Sequence, residues 1–400
     1  MTTTHLAAIS PGPGQPIELH PRPTPQPGPN ELLIAVKSIA LNPADHIMQD
    51  TGLFVPASSY PTVLGFDLAG LVLSAGADVP PLEFHPGTRI AAYSALVWKA
   101  SHPDYGAFQE RCLVPWQHAV VLPDNDDEED GRLTWNEAAT LPVAVQVPLS
   151  AWDAMGIPHN PAPRDSPYSH PTTTPPKQKD QALLIWGAAS SVGSMGVQTA
   201  RLLRADPSTP FAAVYATAGT PRTRAYVASL GADRVFDYGD PLATAKIIAT
   251  AREEGLVIRY CFLAVGQLGL CQAVVGALVG ENQEKGMIAS APPVPAEAEA
   301  VDGVETVFVM PAAGEGERLA QFRGWLGLWL RENLERGRIR ASPEARVVGR
   351  GLGAVNAGLD ELRRGSVSVV EGNRLSVVEL AYVQQVYAEG VAMASLNRLR

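Results

Sequence analysis

Cysteine is scarce in this 400-residue chain: Cys112, Cys261 and Cys271 are all it has, with no C-x-x-C pair. Three isolated thiols build no disulfide framework and fit a reducing, cytoplasmic compartment. Positive charge is also short. Against 41 Asp+Glu stand 31 Lys+Arg, a net charge of −10 at pH 7, which argues against a nucleic-acid surface. No apolar run is long enough to span a bilayer and no leader pattern opens the chain, so no membrane role is expected. The eight histidines are scattered, without a ligand pair or a nucleophile partner. What is plentiful is apolar residue, 46 %, against 18 % charged. That describes about two globular domains with ample core.

The most informative stretch is the apolar run 183–186 leading into Gly187-Ala188-Ala189-Ser190-Ser191-Val192-Gly193 and an amphipathic segment with Gly196. Strand, small-residue turn and helix in that order put a phosphate on a helix N-terminus. Gly187 permits the tight turn, the small residues leave the backbone open to a pyrophosphate, and Gly193 and Gly196 let the helix pack close on its strand. The spacing departs from G-x-G-x-x-G, and a small-residue turn of another α/β fold is the alternative at this point. A second strand is expected over 211–218. NAD-binding units usually end it with Asp or Glu for the ribose 2′-hydroxyl. Here that place holds Thr217, Ala218 and Gly219, with Thr220, Arg222 and Arg224 just after. With no carboxylate to repel a 2′-phosphate and two guanidiniums able to grip one, NADPH is favoured over NADH.

Residues 1–30, rich in Pro and Gly, read as an extended lead-in. Alternation over 31–41 and short glycine-bounded runs at 65–79, 87–93 and 108–114 predict an antiparallel barrel. The acidic run 124–130 reads as a solvated loop, and 157–180 as a Pro-rich linker. Strands at 234–238, 257–265 and 286–291 then continue a βαβ alternation. A helix over 322–336 carries Trp325 and Trp329 four apart, a pair assigned to core or subunit packing. A helix at 358–364, a strand at 375–380 returning to the first domain, and a helical tail from 381 follow. The expected fold class is α/β. A substrate domain covers 1–150, completed by about 341–400; a linker covers 151–180 and a nucleotide-binding domain 181–340.

In order and spacing these pieces resemble the medium-chain dehydrogenase/reductase superfamily over nearly the full length. The resemblance rests on Leu41-Asn42-Pro43-Ala44-Asp45, Leu64-Gly65-Phe66-Asp67-Leu68-Ala69-Gly70, Gly106-Ala107-Phe108 and Ala138-Ala139-Thr140-Leu141-Pro142. It rests equally on the nucleotide turn and on Leu230-Gly231-Ala232-Asp233 with Phe236-Asp237-Tyr238. Within the superfamily the chain is most similar to the fungal branch containing trans-acting enoyl reductases of polyketide biosynthesis, which share the Pro-rich insertion. The resemblance implies a GroES-like β-barrel domain joined to a Rossmann doubly wound parallel-sheet domain, with the active cleft between them. It implies cofactor contacts from Ala44, Asp45, His46 and Ile47 on the barrel side, and from Ala189, Ser190, Ser191 and Val192 at the pyrophosphate. Thr220, Pro221, Arg222 and Thr223 would take the 2′-phosphate, Tyr238 the adenosine, and Val265 and Gly266 the nicotinamide. Gly372, Asn373 and Arg374 fall near a C-terminal cofactor contact. Val145, Gln146, Val147 and Ser150 fall in the substrate pocket. The branch often has Thr at Val147 and Lys at Ile47, so its usual polar support at the reacting end is missing; Gln146, Ser150 and His46 are the candidates to replace it.

Zinc-dependent members of the superfamily bind metal through a cysteine near the position of Asn42 and a Gly-His-Glu segment. This chain has Gly65-Phe66-Asp67 and no cysteine near residue 42, so no metal is expected. Reduction of a polarised C=C bond by NADPH is then favoured over alcohol oxidation. Asn42, Asp45 and His46 are the candidate catalytic residues, although Asn-Pro-x-Asp equally makes a local Asx-type turn. Three functions stand as expectations: a trans-acting enoyl reductase on a carrier-bound polyketide thioester, a stand-alone quinone or enone reductase, and a cofactor-binding partner without turnover. The partners implied are an acyl substrate and a polyketide synthase, with the chain a monomer or homodimer.

Overall fold

The computed structural model describes residues 3–123, 133–159, 179–282, 285–364 and 374–379. The acidic run, most of the Pro-rich stretch, Gly372, Asn373 and the tail from 381 lie outside these residues.

The start of the chain is not a lead-in. It forms β1 (Thr4–Ser10) and β2 (Glu18–Pro23), paired antiparallel from Thr4↔Pro23 to Ile9↔Glu18. Pro21 and Pro23 mask the strand in the sequence, yet β2 is an edge strand, where a missing N–H is tolerated. Next come β3 (Glu31–Ala40), α1 (Pro43–Thr51), β4 (Thr62–Val63), β5 (Asp67–Ala75), β6 (Arg89–Tyr93), β7 (Arg111–Pro115) and β8 (Ala119–Val121). β3 is the spine of this part, pairing antiparallel with both β5 and β7. Two helices lead out, α2 (Trp135–Ala139) and α3 (Leu141–Ala154). Because α3 runs past residue 150, the boundary expected there falls inside a helix.

A six-stranded sheet follows, from β9 (Gln181–Trp186), α4 (Ser191–Ala205), β10 (Phe211–Thr217), α5 (Pro221–Ser229), β11 (Arg234–Phe236), α6 (Ala243–Glu253), β12 (Val257–Leu263), α7 (Leu268–Asn282), β13 (Gly286–Ser290) and β14 (Val304–Phe308). Every pairing is parallel and the spatial order is β11-β10-β9-β12-β13-β14. That is the dinucleotide-binding order, and it reverses direction between β9 and β12. Successive residues of β9 serve opposite faces. Leu183 and Ile185 join a core shared with α4 and the N-terminal sheets, while Ala182, Leu184 and Trp186 pack with α6 and α7. Strands covered on both sides need the continuous apolar runs seen in the sequence.

The chain then forms α8 (Glu315–Phe322), a π-helix (Arg323–Leu330), α9 (Arg331–Glu335), β15 (Glu344–Arg350), α10 (Val355–Arg363) and β16 (Arg374–Glu379). The helix expected over 322–336 is therefore π-helical in its first half and α-helical after it, with Trp325 1 % and Trp329 6 % exposed as core residues. β16 pairs with β15 and with β3, so the C-terminal strands extend the N-terminal sheet.

Candidate cofactor site and active cleft

Ligands of open parallel sheets sit where strand order reverses, outside the carboxyl ends of the strands. Here that is the junction of Gly187, after β9, with Val265, after β12. Gly187 has φ +78°, and a Cβ on it would lie 2.4 Å from both Cγ1 and the carbonyl oxygen of Val265. Only glycine fits. Ser190 caps α4, accepting the Gly193 N–H at 3.1 Å and donating to the Gly187 carbonyl at 2.8 Å. A Cβ on Gly193 would meet that carbonyl at 2.3 Å, and one on Gly196 would meet Phe262 at 3.0 Å, so both glycines permit the close packing expected of them. The first-turn amides of Ser191 and Val192 have no intrahelical acceptor, as in any helix, and their residues with Ala189 and Ser190 are partly exposed. Val265 is 50 % exposed, an apolar surface at the switch point, and Gly266 (φ +130°) lies against the Trp186 ring. Amides for a phosphate and an apolar ledge for a ring thus lie side by side; the residues fit a dinucleotide.

At the end of β10, Thr217 is buried and ties the turn together. Its Oγ1 accepts the Gly187 N–H at 2.9 Å and its carbonyl accepts the Ala188 N–H at 2.9 Å. Sequence reasoning assigned Thr217 only a position. Thr220 and Thr223 form a reciprocal capping box at the start of α5, with Pro221 in its first turn. Tyr238 reaches over Gly219: a Cβ there would lie 2.7 Å from the Tyr238 hydroxyl. Arg222 is exposed and has no hydrogen bond or ion pair among the described residues. Arg224 differs from its expectation. Its Nη1 donates to the Gly219 carbonyl at 2.5 Å and to Asp237 Oδ2 at 2.7 Å. A carboxylate does stand at this end of the sheet, supplied by the exit of β11 rather than β10. Only one of the two guanidiniums is uncompensated.

On the barrel side the candidates separate. Asn42 caps α1, and its N–H donates to Asp45 Oδ2 at 2.7 Å. Its Nδ2 donates to Asp67 Oδ2 at 3.0 Å, while Asp67 Oδ1 accepts the Val143 N–H of α3 at 2.9 Å. One buried carboxylate thus pins the starts of α1 and α3 together, a role invisible in the sequence because its partners are far along the chain. Burial pushes the Asp45 carboxyl up to about 7 and Asp67 well above the usual carboxylate range. Asp45 Oδ1 is buried with no partner among the described residues. The Asn-Pro-x-Asp unit is a helix cap, and neither Asn42 nor Asp45 is exposed to the cleft. His46 Nδ1 lies 3.5 Å from Asp50 Oδ2, which is also held by Arg363 of α10. Ala44 and Ile47 are partly exposed. On α3, Val145, Gln146 and Ser150 are buried, whereas Val143 and Val147, four apart, share a partly exposed stripe. Phe66, where zinc enzymes carry histidine, packs against the Tyr93 ring at 5.6 Å. Among the described residues no three His, Cys, Asp or Glu side chains converge as a metal site.

The profile of the alcohol dehydrogenase GroES-like domain matches residues 28–124. The chain is 36 % identical over 378 residues to the trans-enoyl reductase tndF of Aspergillus flavipes, covering 94 % of this chain and 99 % of the relative. It is 37 % identical over 318 residues to the trans-enoyl reductase tazE of Aspergillus terreus, covering 79 % and 95 %. Among solved structures it is similar to the CurK enoyl reductase, with TM-score 0.65 at 16 % identity over 94 % of this chain and 99 % of that one. The chain belongs to the medium-chain dehydrogenase/reductase superfamily of nicotinamide-dependent oxidoreductases, in the branch of the fungal trans-enoyl reductases.

Proposed function

We propose that the chain is a trans-acting enoyl reductase that uses NADPH, without zinc, to reduce an α,β-unsaturated acyl thioester carried by a polyketide synthase. The match over most of the chain to two trans-enoyl reductases carries the reading. Arg222 supports NADPH, because an exposed, uncompensated guanidinium beside Thr220 suits a 2′-phosphate. The donor set supports zinc independence: Phe66 offers no ligand, and both Asp67 oxygens already accept hydrogen bonds.

When bound, NADPH supplies a hydride to the β-carbon of the substrate. Ser190, Ser191 and Val192 hold the pyrophosphate, and Val265 and Gly266 support the ring. Val143 and Val147 offer partly exposed apolar surface beside the reacting end, which strengthens any hydrogen bond to a developing enolate while leaving it open to solvent. With Asn42 and Asp45 engaged in the α1 cap, we assign the protonation of the α-carbon to solvent, and Asp67 the role of aligning α1 with α3.

The deciding assay is NADPH consumption with an α,β-unsaturated acyl-pantetheine thioester, with NADH as paired control. Turnover with NADPH well above that with NADH is expected. Turnover on free quinones with indifference to the thioester would replace this reading with a stand-alone quinone reductase.

A further inference from the structure

Arg224 and Asp237 form an ion pair at the end of the sheet where the adenosine ribose is placed. The pair closes a small circuit. Arg224 Nη1 bridges the Gly219 carbonyl and Asp237 Oδ2, while Asp237 Oδ1 accepts the Gly239 N–H at 2.9 Å. Tyr238 stands between these anchors with its hydroxyl over Gly219. Burial and the Asp237 charge both push the Tyr238 phenol up, so the carboxylate acts on this corner electrostatically. NAD-type sites accept ribose hydroxyls on a carboxylate at the end of the second strand; here the carboxylate at this end of the sheet is Asp237, arriving from β11 instead of β10. Left uncovered it would repel a 2′-phosphate.

We propose that Arg224 selects the phosphorylated cofactor indirectly, by masking Asp237, while Arg222 alone grips the 2′-phosphate. The proposal rests on the NADPH reading above. The pair is neutral as a unit, so the net positive charge at this corner is that of Arg222. The pair is also partly exposed, at 27 % and 39 % of the side chains, and such pairs contribute little to stability. Its removal is therefore expected to register in cofactor choice more than in folding.

The test is fluorescence titration of the full chain with NADPH and with NADH, giving both dissociation constants for wild type, R222A, R224A, D237N and R224A/D237N. Wild type is expected to favour NADPH. If it binds NADH equally well, the cofactor reading itself fails, and this proposal with it. R222A should weaken NADPH by roughly tenfold to a hundredfold and leave NADH unchanged. R224A should weaken NADPH by about tenfold, through an unmasked like charge, without weakening NADH. The second substitution in R224A/D237N should restore most of that loss, and D237N alone should bind NADPH at least as well as wild type. Loss in R224A that D237N does not rescue, with NADH untouched, would make Arg224 a direct phosphate ligand and overturn the proposal. Parallel loss of both cofactors in R224A and the double variant would make the pair a loop staple and overturn it too. So would an R224A that binds like wild type.

Discussion

At the scale of single residues, the most informative group is a carboxylate the chemistry does not use. Asp45 is buried, accepts the Asn42 N–H, and is pushed up to about 7. A raised folded pKa means the native chain holds this proton more tightly than the unfolded chain does. The stability it contributes is present below the unfolded value near 4 and is lost as pH rises through about 7, at up to about 1.4 kcal/mol per pH unit. His118 works against it in part of this window, since burial drops its imidazole to about 3 and the native state resists its protonation. Total stability therefore mixes both signs, and a difference experiment separates them. Asp45→Asn keeps an oxygen for the Asn42 N–H and removes the titration. In urea unfolding from pH 4 to 8, the variant should gain on wild type as pH rises to about 7 and hold a constant difference above it. A constant difference across the range would place the proton elsewhere, with Asp67 the next group to replace.

At the scale of elements, legibility follows the distance between the groups that matter. The β9–turn–α4 unit was readable because Gly187, Ser190, Gly193 and Gly196 do their work within ten residues, and each meets the backbone or ring its spacing implies. β2 was not readable, because prolines on an edge strand look like loop, and β1 went unread with the partner it pairs with. The π-helix was hidden because its i→i+5 bonding leaves no composition signature distinct from an α-helix, and Trp325 and Trp329 satisfy either. Arg224 was misjudged for a related reason: its partner Asp237 lies just past the next strand, and contact between a helix start and that strand's exit is a tertiary fact. The turn itself gives a test in which one substitution has opposite signs at two helical positions. Gly193→Ala places a methyl 2.3 Å from the Gly187 carbonyl and 2.8 Å from Ser190 Oγ, neither free to yield. It should cost about 1–3 kcal/mol by overpacking and weaken NADPH binding as the turn shifts. Gly280→Ala, at an exposed position of α7 with nothing within 4 Å, should stabilise by up to about 1 kcal/mol. Melting curves of the two variants compare them directly, and a harmless Gly193→Ala would mean the turn is looser than described.

At the scale of the molecule, the question is what fixes the N-terminal sheets against the parallel sheet, since the cleft is only as well shaped as that junction. Much of the answer is apolar: one continuous core runs from β3 and β5 through α3 to the β9 face carrying Leu183 and Ile185. A directional contact is added where the π-helix meets the loop before β6. Arg323 donates two bonds to Glu83, at 2.8 and 2.9 Å, and its guanidinium lies 5.1 Å from the Trp116 ring centroid. Arg331 reaches the same carboxylate at 3.3 Å. Gly327 makes this possible, because a Cβ there would sit 2.5 Å from Arg323 Nη1. The Arg323 and Glu83 side chains are 24 % and 14 % exposed, between the surface pairs worth under about 1 kcal/mol and the buried ones whose breakage costs about 3–5. Glu83→Gln leaves two arginines facing a neutral amide and should cost about 1–3 kcal/mol. Arg323→Met should cost a similar amount. If the pair acts as one clamp, the double variant E83Q/R323M loses clearly less than the sum of the singles, and a double-mutant cycle in chemical denaturation reads that coupling directly. Strict additivity would show that Glu83 and Arg323 act independently and form no clamp.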